Sequence, residues 1–108
     1  LDAETKQAVD KLGKVKHIVT PNFEHVRYAK TWIDAYKQAK SYAPKGVPAA
    51  NPHIGFQVEI GEGGVEQSPW GDEIRMCHLN IERDIPFLGH PYFGEVVFCH
   101  VPSRTLLS

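Results

Sequence analysis

Two segments at opposite ends of the chain follow one plan, and together they constrain its fold more than any other feature. Near the start stand His17, Ile18, Val19 and Thr20, followed by Pro21, Asn22, Phe23, Glu24 and His25. At the end, Glu95, Val96, Val97, Phe98 and Cys99 lead into His100, Val101, Pro102 and Ser103, and then Arg104, Thr105, Leu106 and Leu107. Each segment is an apolar β run that stops at a polar turn carrying a histidine. Strand ends of this kind are where α/β proteins gather their chemistry.

Between these ends the pattern alternates helix and strand. Residues 2–12 predict a short helix capped by Asp2 and ended by Gly13, with Ala8, Val9 and Leu12 on one face. A strand follows over 15–20 and ends at Pro21, which has no amide hydrogen to give a ladder. Asn22 is placed to cap a helix over 23–39, where Val26, Ala29, Trp32, Ile33, Tyr36 and Ala39 recur at three- and four-residue steps. A short strand is expected over 41–43. The prolines and glycine of 44–52 predict a loop.

Residues 54–60 alternate Ile54, Phe56, Val58 and Ile60 with polar positions, as a half-buried strand does. The glycines of 61–64 supply a tight connection; no Lys-Ser/Thr helix start follows, so a phosphate-cradling loop is not expected. Residues 73–81 predict a strand with Ile74, Met76 and His78 on one face. Next comes a loop over 83–94 whose aromatic residues Phe87, Tyr92 and Phe93 form a candidate interaction surface. Strands over 95–100 and 104–107 close the chain.

Composition excludes several classes of function. The chain has 108 residues, enough for one domain with a modest core, and its 42% hydrophobic and 23% charged content is ordinary for a globular protein. Twelve basic residues against thirteen acidic ones leave a net charge of -1, with lysines scattered and not striped, so no nucleic-acid partner is expected. No apolar run approaches the roughly 20 residues of a membrane span. Cys77 and Cys99 lack C-x-x-C spacing and read as two small buried thiols on strands, with a disulfide between them as the alternative.

The two end segments resemble the metal-site turns of metallo-β-lactamase-fold hydrolases, and more closely an uncharacterised family of plants, algae and cyanobacteria that shares that fold. In the enzymes a strand ends in Thr-His-x-His-x-Asp-His. Here His25 matches the last histidine, Glu24 stands at the aspartate, and Pro21 and Phe23 occupy the region of the first two histidines, where neither can bind a metal. The His100-Val101-Pro102-Ser103 turn is similar to the His-Thr-x-Gly-Ser turn that supplies another ligand. Glu-Val-Val-Phe and Pro-Ser-Arg-Thr-Leu point to the plant and cyanobacterial family, and with it to a plastid setting. The resemblance implies an α/β fold: a single, partial metallo-β-lactamase-like αββα sandwich over 1–108, with a mixed sheet and helices on one side. It also implies that the chain is the middle of a larger fold whose exposed edges another segment or chain covers.

Zinc hydrolysis needs three or more rigid ligands and an open position for water, whose pKa the metal lowers to about 7. The resemblance offers His25, His100 and Glu24 as metal ligands and no other residue with a catalytic role. His53, His78 and His90 lie outside the matched turns and read as ordinary surface or hydrogen-bonded histidines, while His17, near the start of its strand, reads as a packed or edge histidine. Glu24 reads as a helix-capping carboxylate and Ser103 as part of a structural turn, not a nucleophile. Two functions follow. The first is a non-catalytic structural or interaction domain derived from the hydrolase fold, with no cofactor and with other protein chains as partners. The alternative is a metal-dependent hydrolase with an altered site holding zinc or another divalent metal.

Overall fold

The computed structural model describes residues 1–61, 68–81 and 93–108, with the side chains of 80, 81 and 93 left aside. Helix α1 spans Ala3–Leu12. Asp2 caps it by accepting the Thr5 amide at 2.7 Å, and Gly13 at φ 143° closes it. Its expected apolar face is covered only in part: Val9 is half-buried, no residue of α1 is fully buried, and Leu12 is 90% exposed.

Three short strands, β1 (His17–Val19), β2 (Lys40–Pro44) and β3 (Val58–Ile60), form a parallel sheet in that order. The register pairs Val19 with Tyr42 and Tyr42 with Val58, so these three side chains share one face. Parallel strands need crossover connections, and here these run through α2 (Ala29–Ala35) and α3 (Val47–Ala50). Ser41, Ala43 and Thr20, on the opposite face, are buried as well, as a parallel sheet requires.

The second half of the chain builds an antiparallel sheet, β4 (Ile74–Ile81), β5 (Phe93–His100) and β6 (Thr105–Leu107), also in chain order. Met76 pairs with Phe98 and His78 with Val96, which places all four on one face. That face meets the parallel sheet in a core of Tyr42, Ile60, Met76 and Val96, flanked by Val19, Val58, Trp70 and Phe98. The α/β class holds. The strands, however, divide into one purely parallel and one purely antiparallel sheet where a mixed sheet was expected.

Three local expectations are corrected. The helix expected over 23–39 is reduced to Ala29–Ala35, because Asn22 Oδ1 accepts the amides of Glu24 and His25 and folds the next residues into turns. The loop expected over 44–52 contains α3: Gly46 at φ 89° starts it, and Pro48 sits in its first turn, where no amide hydrogen is needed. The strand expected from residue 54 begins only at Val58, after Gly55 at φ 81°.

Candidate functional site

The two sheets are stitched together where β1 ends. Asn22 forms a backbone bridge with Glu95, and the Val96 amide donates to the Pro21 carbonyl at 2.7 Å. The side chains repeat the link: Asn22 Nδ2 donates to Glu95 Oε2 at 2.9 Å, while Asn22 Oδ1 lies 2.8 Å from His25 Nδ1. Asn22 therefore fixes the His25 ring through its Nδ1 hydrogen. Both His25 and Glu24 are exposed.

The next residue, Phe23, turns the other way. A Cβ on Gly94 would meet its ring at 3.3 Å and His78 Nε2 at 3.5 Å, and a Cβ on Gly46 would meet the ring at 3.2 Å. Phe23 thus lies between two glycines, beside the buried His78. In the enzymes that the first segment resembles, a metal ligand stands in this region, and Phe23 is expected to supply none. Here the region is packed by an aromatic ring.

His100 belongs to a different neighbourhood. Its Nδ1 lies 2.6 Å from Ser103 Oγ, Ser103 Oγ lies 2.7 Å from Thr105 Oγ1, and its Nε2 lies 3.8 Å from Glu73 Oε1. These contacts pin the turn between β5 and β6, in which Arg104 takes a positive φ of 53°. Since Glu95 and His100 are five residues apart on one strand, about 16 Å of extended chain separates the two histidine neighbourhoods. The structure brings Glu24 beside His25 and sets His100 at the far end of β5. Among the described residues, no three His, Cys, Asp or Glu side chains come together in a group able to hold a metal ion.

A third polar cluster lies inside. His17 Nδ1 is 3.0 Å from the Tyr42 hydroxyl, and Trp70 stands edge-on to both His17 and Phe98, at 5.4 Å and 6.3 Å. Burial pushes the Tyr42 hydroxyl above its ordinary pKa. His17, expected as a packed or edge histidine, is packed against Tyr42 and Trp70.

Of the expected interaction surface, Phe87 and Tyr92 lie outside the described residues, as does His90, and Phe93 is placed only as the first residue of β5. A different surface stands out. On the outward face of the antiparallel sheet, Cys77 pairs with Val97, Leu79 with Glu95, and Arg75 with Cys99, which pairs in turn with Leu106. Leu79 is 43% exposed and Leu106 68%; Cys77 is exposed, and Val97 and Cys99 are half-buried. The expectation of two buried thiols is therefore corrected for Cys77, and both cysteines are free. A sequence signal for this face exists: in both strands successive residues are apolar at odd and even positions alike, as in sheets covered on two faces.

Comparison of the chain with protein-family profiles, with curated proteins and with solved structures finds no match in any of the three. Among the described residues no helix is long and apolar enough to cross a membrane.

Proposed function

We propose that this chain is a non-catalytic interaction domain, a partial metallo-β-lactamase-like sandwich whose antiparallel sheet is covered by another protein chain. The observation that carries this reading is the outward face of β4, β5 and β6. An antiparallel sheet whose second face meets water normally turns polar side chains to it. This one turns Cys77, Leu79, Val97, Cys99 and Leu106 outward. In an αββα sandwich that face carries a second helical layer, so the resemblance and the exposed face are consistent. Contiguous apolar surface of this kind marks an interaction site.

Cys77 provides the test, because it sits in the middle of the face. Its maleimide labelling in a native extract is compared with labelling of the dilute purified chain. Protection in the extract is expected; equal labelling in both sinks the reading. The competing function, a hydrolase with an altered metal site, is supported by the histidines at 25 and 100. It predicts stoichiometric metal in protein purified without chelator, lost in the His25→Ala, His100→Ala double variant.

A further inference from the structure

The outward face has a symmetry that its individual residues do not. Its centre is the Cys77 and Val97 pair. Two residues before Cys77 on β4 stands Arg75, and two residues before Val97 on β5 stands Glu95. Because the strands run antiparallel, equal steps from the central pair lead to opposite corners. The face therefore has a charged diagonal, positive at one end and negative at the other, while the remaining corners, Leu79 and Cys99, are apolar.

We propose that the chain covering this face is a second copy of the same chain, packed face to face about a two-fold axis; the proposal rests on the interaction reading above. A two-fold axis lying between two such sheets, at right angles to the charged diagonal, sets each Arg75 over Glu95 of the second copy. It makes two ion pairs at once, leaves Cys77 and Val97 in the dry centre and sets Leu79 at its corner against Leu79 of the second copy. Sheets packed this way lie about 10 Å apart, a gap that leucine and valine side chains fill from both sides. A two-fold lying along the charged diagonal instead places like charge over like charge, so the pattern selects one face-to-face arrangement as well as favouring association. Arg75 has reach to spare: its side chain is 54% exposed, and its contact with Asp72 is a loose 3.6 Å. Glu95 is held ready by Asn22.

The experiment is sedimentation equilibrium of the full 108-residue chain from micromolar to millimolar concentration, with circular dichroism to confirm that each variant folds. A monomer–dimer equilibrium is expected, with Cys77 labelling slowing as dimer forms. Arg75→Glu should weaken the dimer about tenfold or more by facing two carboxylates. The charge swap Arg75→Glu with Glu95→Arg should restore it; Leu79→Glu, which does not touch the Asn22 link, should abolish it. A chain that stays monomeric at every concentration overturns the second copy as partner. If Cys77 is then still protected in native extract, the interaction reading stands with a different protein on the face. A dimer indifferent to both Arg75→Glu and Leu79→Glu uses another surface, and also overturns the proposal.

Discussion

Asn22 and Glu95 are separated by 73 residues of sequence, yet they share a backbone bridge and a 2.9 Å side-chain hydrogen bond. Asn22 also accepts the amides of Glu24 and His25, so one side chain joins the two sheets and shapes the turn after β1. Asn22→Ala removes all of these side-chain bonds and leaves the Glu95 carboxylate, half-buried, without its donor. The expected loss is about 1–3 kcal/mol of unfolding free energy, read from urea denaturation, with a new freedom of the 22–25 turn seen as faster amide exchange. An unchanged midpoint would show that the sheets are held by the core alone.

Gly94 and Gly46 are set by Phe23. Each lacks a Cβ where the Phe23 ring lies within 3.3 Å and 3.2 Å respectively, and Gly46 also has φ 89°. Gly94→Ala should cost about 1–3 kcal/mol through overpacking. Gly46→Ala should cost more, because backbone strain adds to the clash. Combining Gly94→Ala with Phe23→Leu should recover part of the loss, and a coupling of zero in that double-mutant cycle would remove Phe23 as the cause.

What the sequence reveals and what it conceals follow physical lines here. The Asp2 cap and Gly13 stop delimit α1 because both act within a few residues. The alternation of Met76 and His78 marks the inward face of β4 for the same reason. The helix expected over 23–39 is cut short by a competition that periodicity cannot rank: Asn22 can cap a helix or close a turn, and Glu95, far along the chain, holds it in the turn. Likewise, the neighbourhood of His100 includes Glu73, which only the pairing of β4 with β5 brings near. The split into two sheets is a matter of long-range pairing, not of local pattern. The apolar outward face was written in the double parity of Cys77, Leu79, Val97 and Cys99, though its exposure was not.

Tyr42 makes stability sensitive to alkali. Its hydroxyl is buried beside His17, and burial holds its pKa above the ordinary 10.0. A folded pKa above the unfolded one means that the native state keeps its proton longer. The contribution is therefore whole below about pH 10 and is lost as pH rises from there through the folded value. Alkaline denaturation of the parent chain should steepen in that range, and Tyr42→Phe should flatten it. At neutral pH the same variant should lose about 0.5–1.5 kcal/mol, since the hydrogen bond to His17 goes with the hydroxyl.

Cys77 and Cys99 should not form a disulfide within one molecule. They share the outward face, but the register opposes Cys77 to Val97 and Cys99 to Arg75, which makes them diagonal neighbours. Diagonal Cα atoms lie about 7–8 Å apart, beyond the roughly 4.4–6.8 Å that a disulfide spans. Mild oxidation of the dilute chain should leave two thiols per molecule by maleimide mass shift. An internal bond formed without loss of native structure would contradict the register of β4 and β5.

Docking of α1 should fail in acid. No side chain of this helix is buried, and it reaches the rest of the chain through Asp10, which takes a 2.7 Å bond from Lys6 and a 2.9 Å bond from the Tyr36 hydroxyl. Lys6 also stands 4.9 Å over the Tyr36 ring. The hydrogen bond from Lys6 is the larger cause, and that from Tyr36 the next, of a carboxyl pKa held below its ordinary 3.8. A depressed folded pKa means that this contribution is present above about pH 3.8 and is lost as pH falls through the folded value. Tyr36 ring resonances should therefore move toward those of a free tyrosine over that acid range while the core signals of Met76 and Val96 stay in place. Asp10→Asn should show the undocked Tyr36 signature already at neutral pH. If Tyr36 and the core instead change together in acid, α1 is part of the cooperative unit and not a separately docked element.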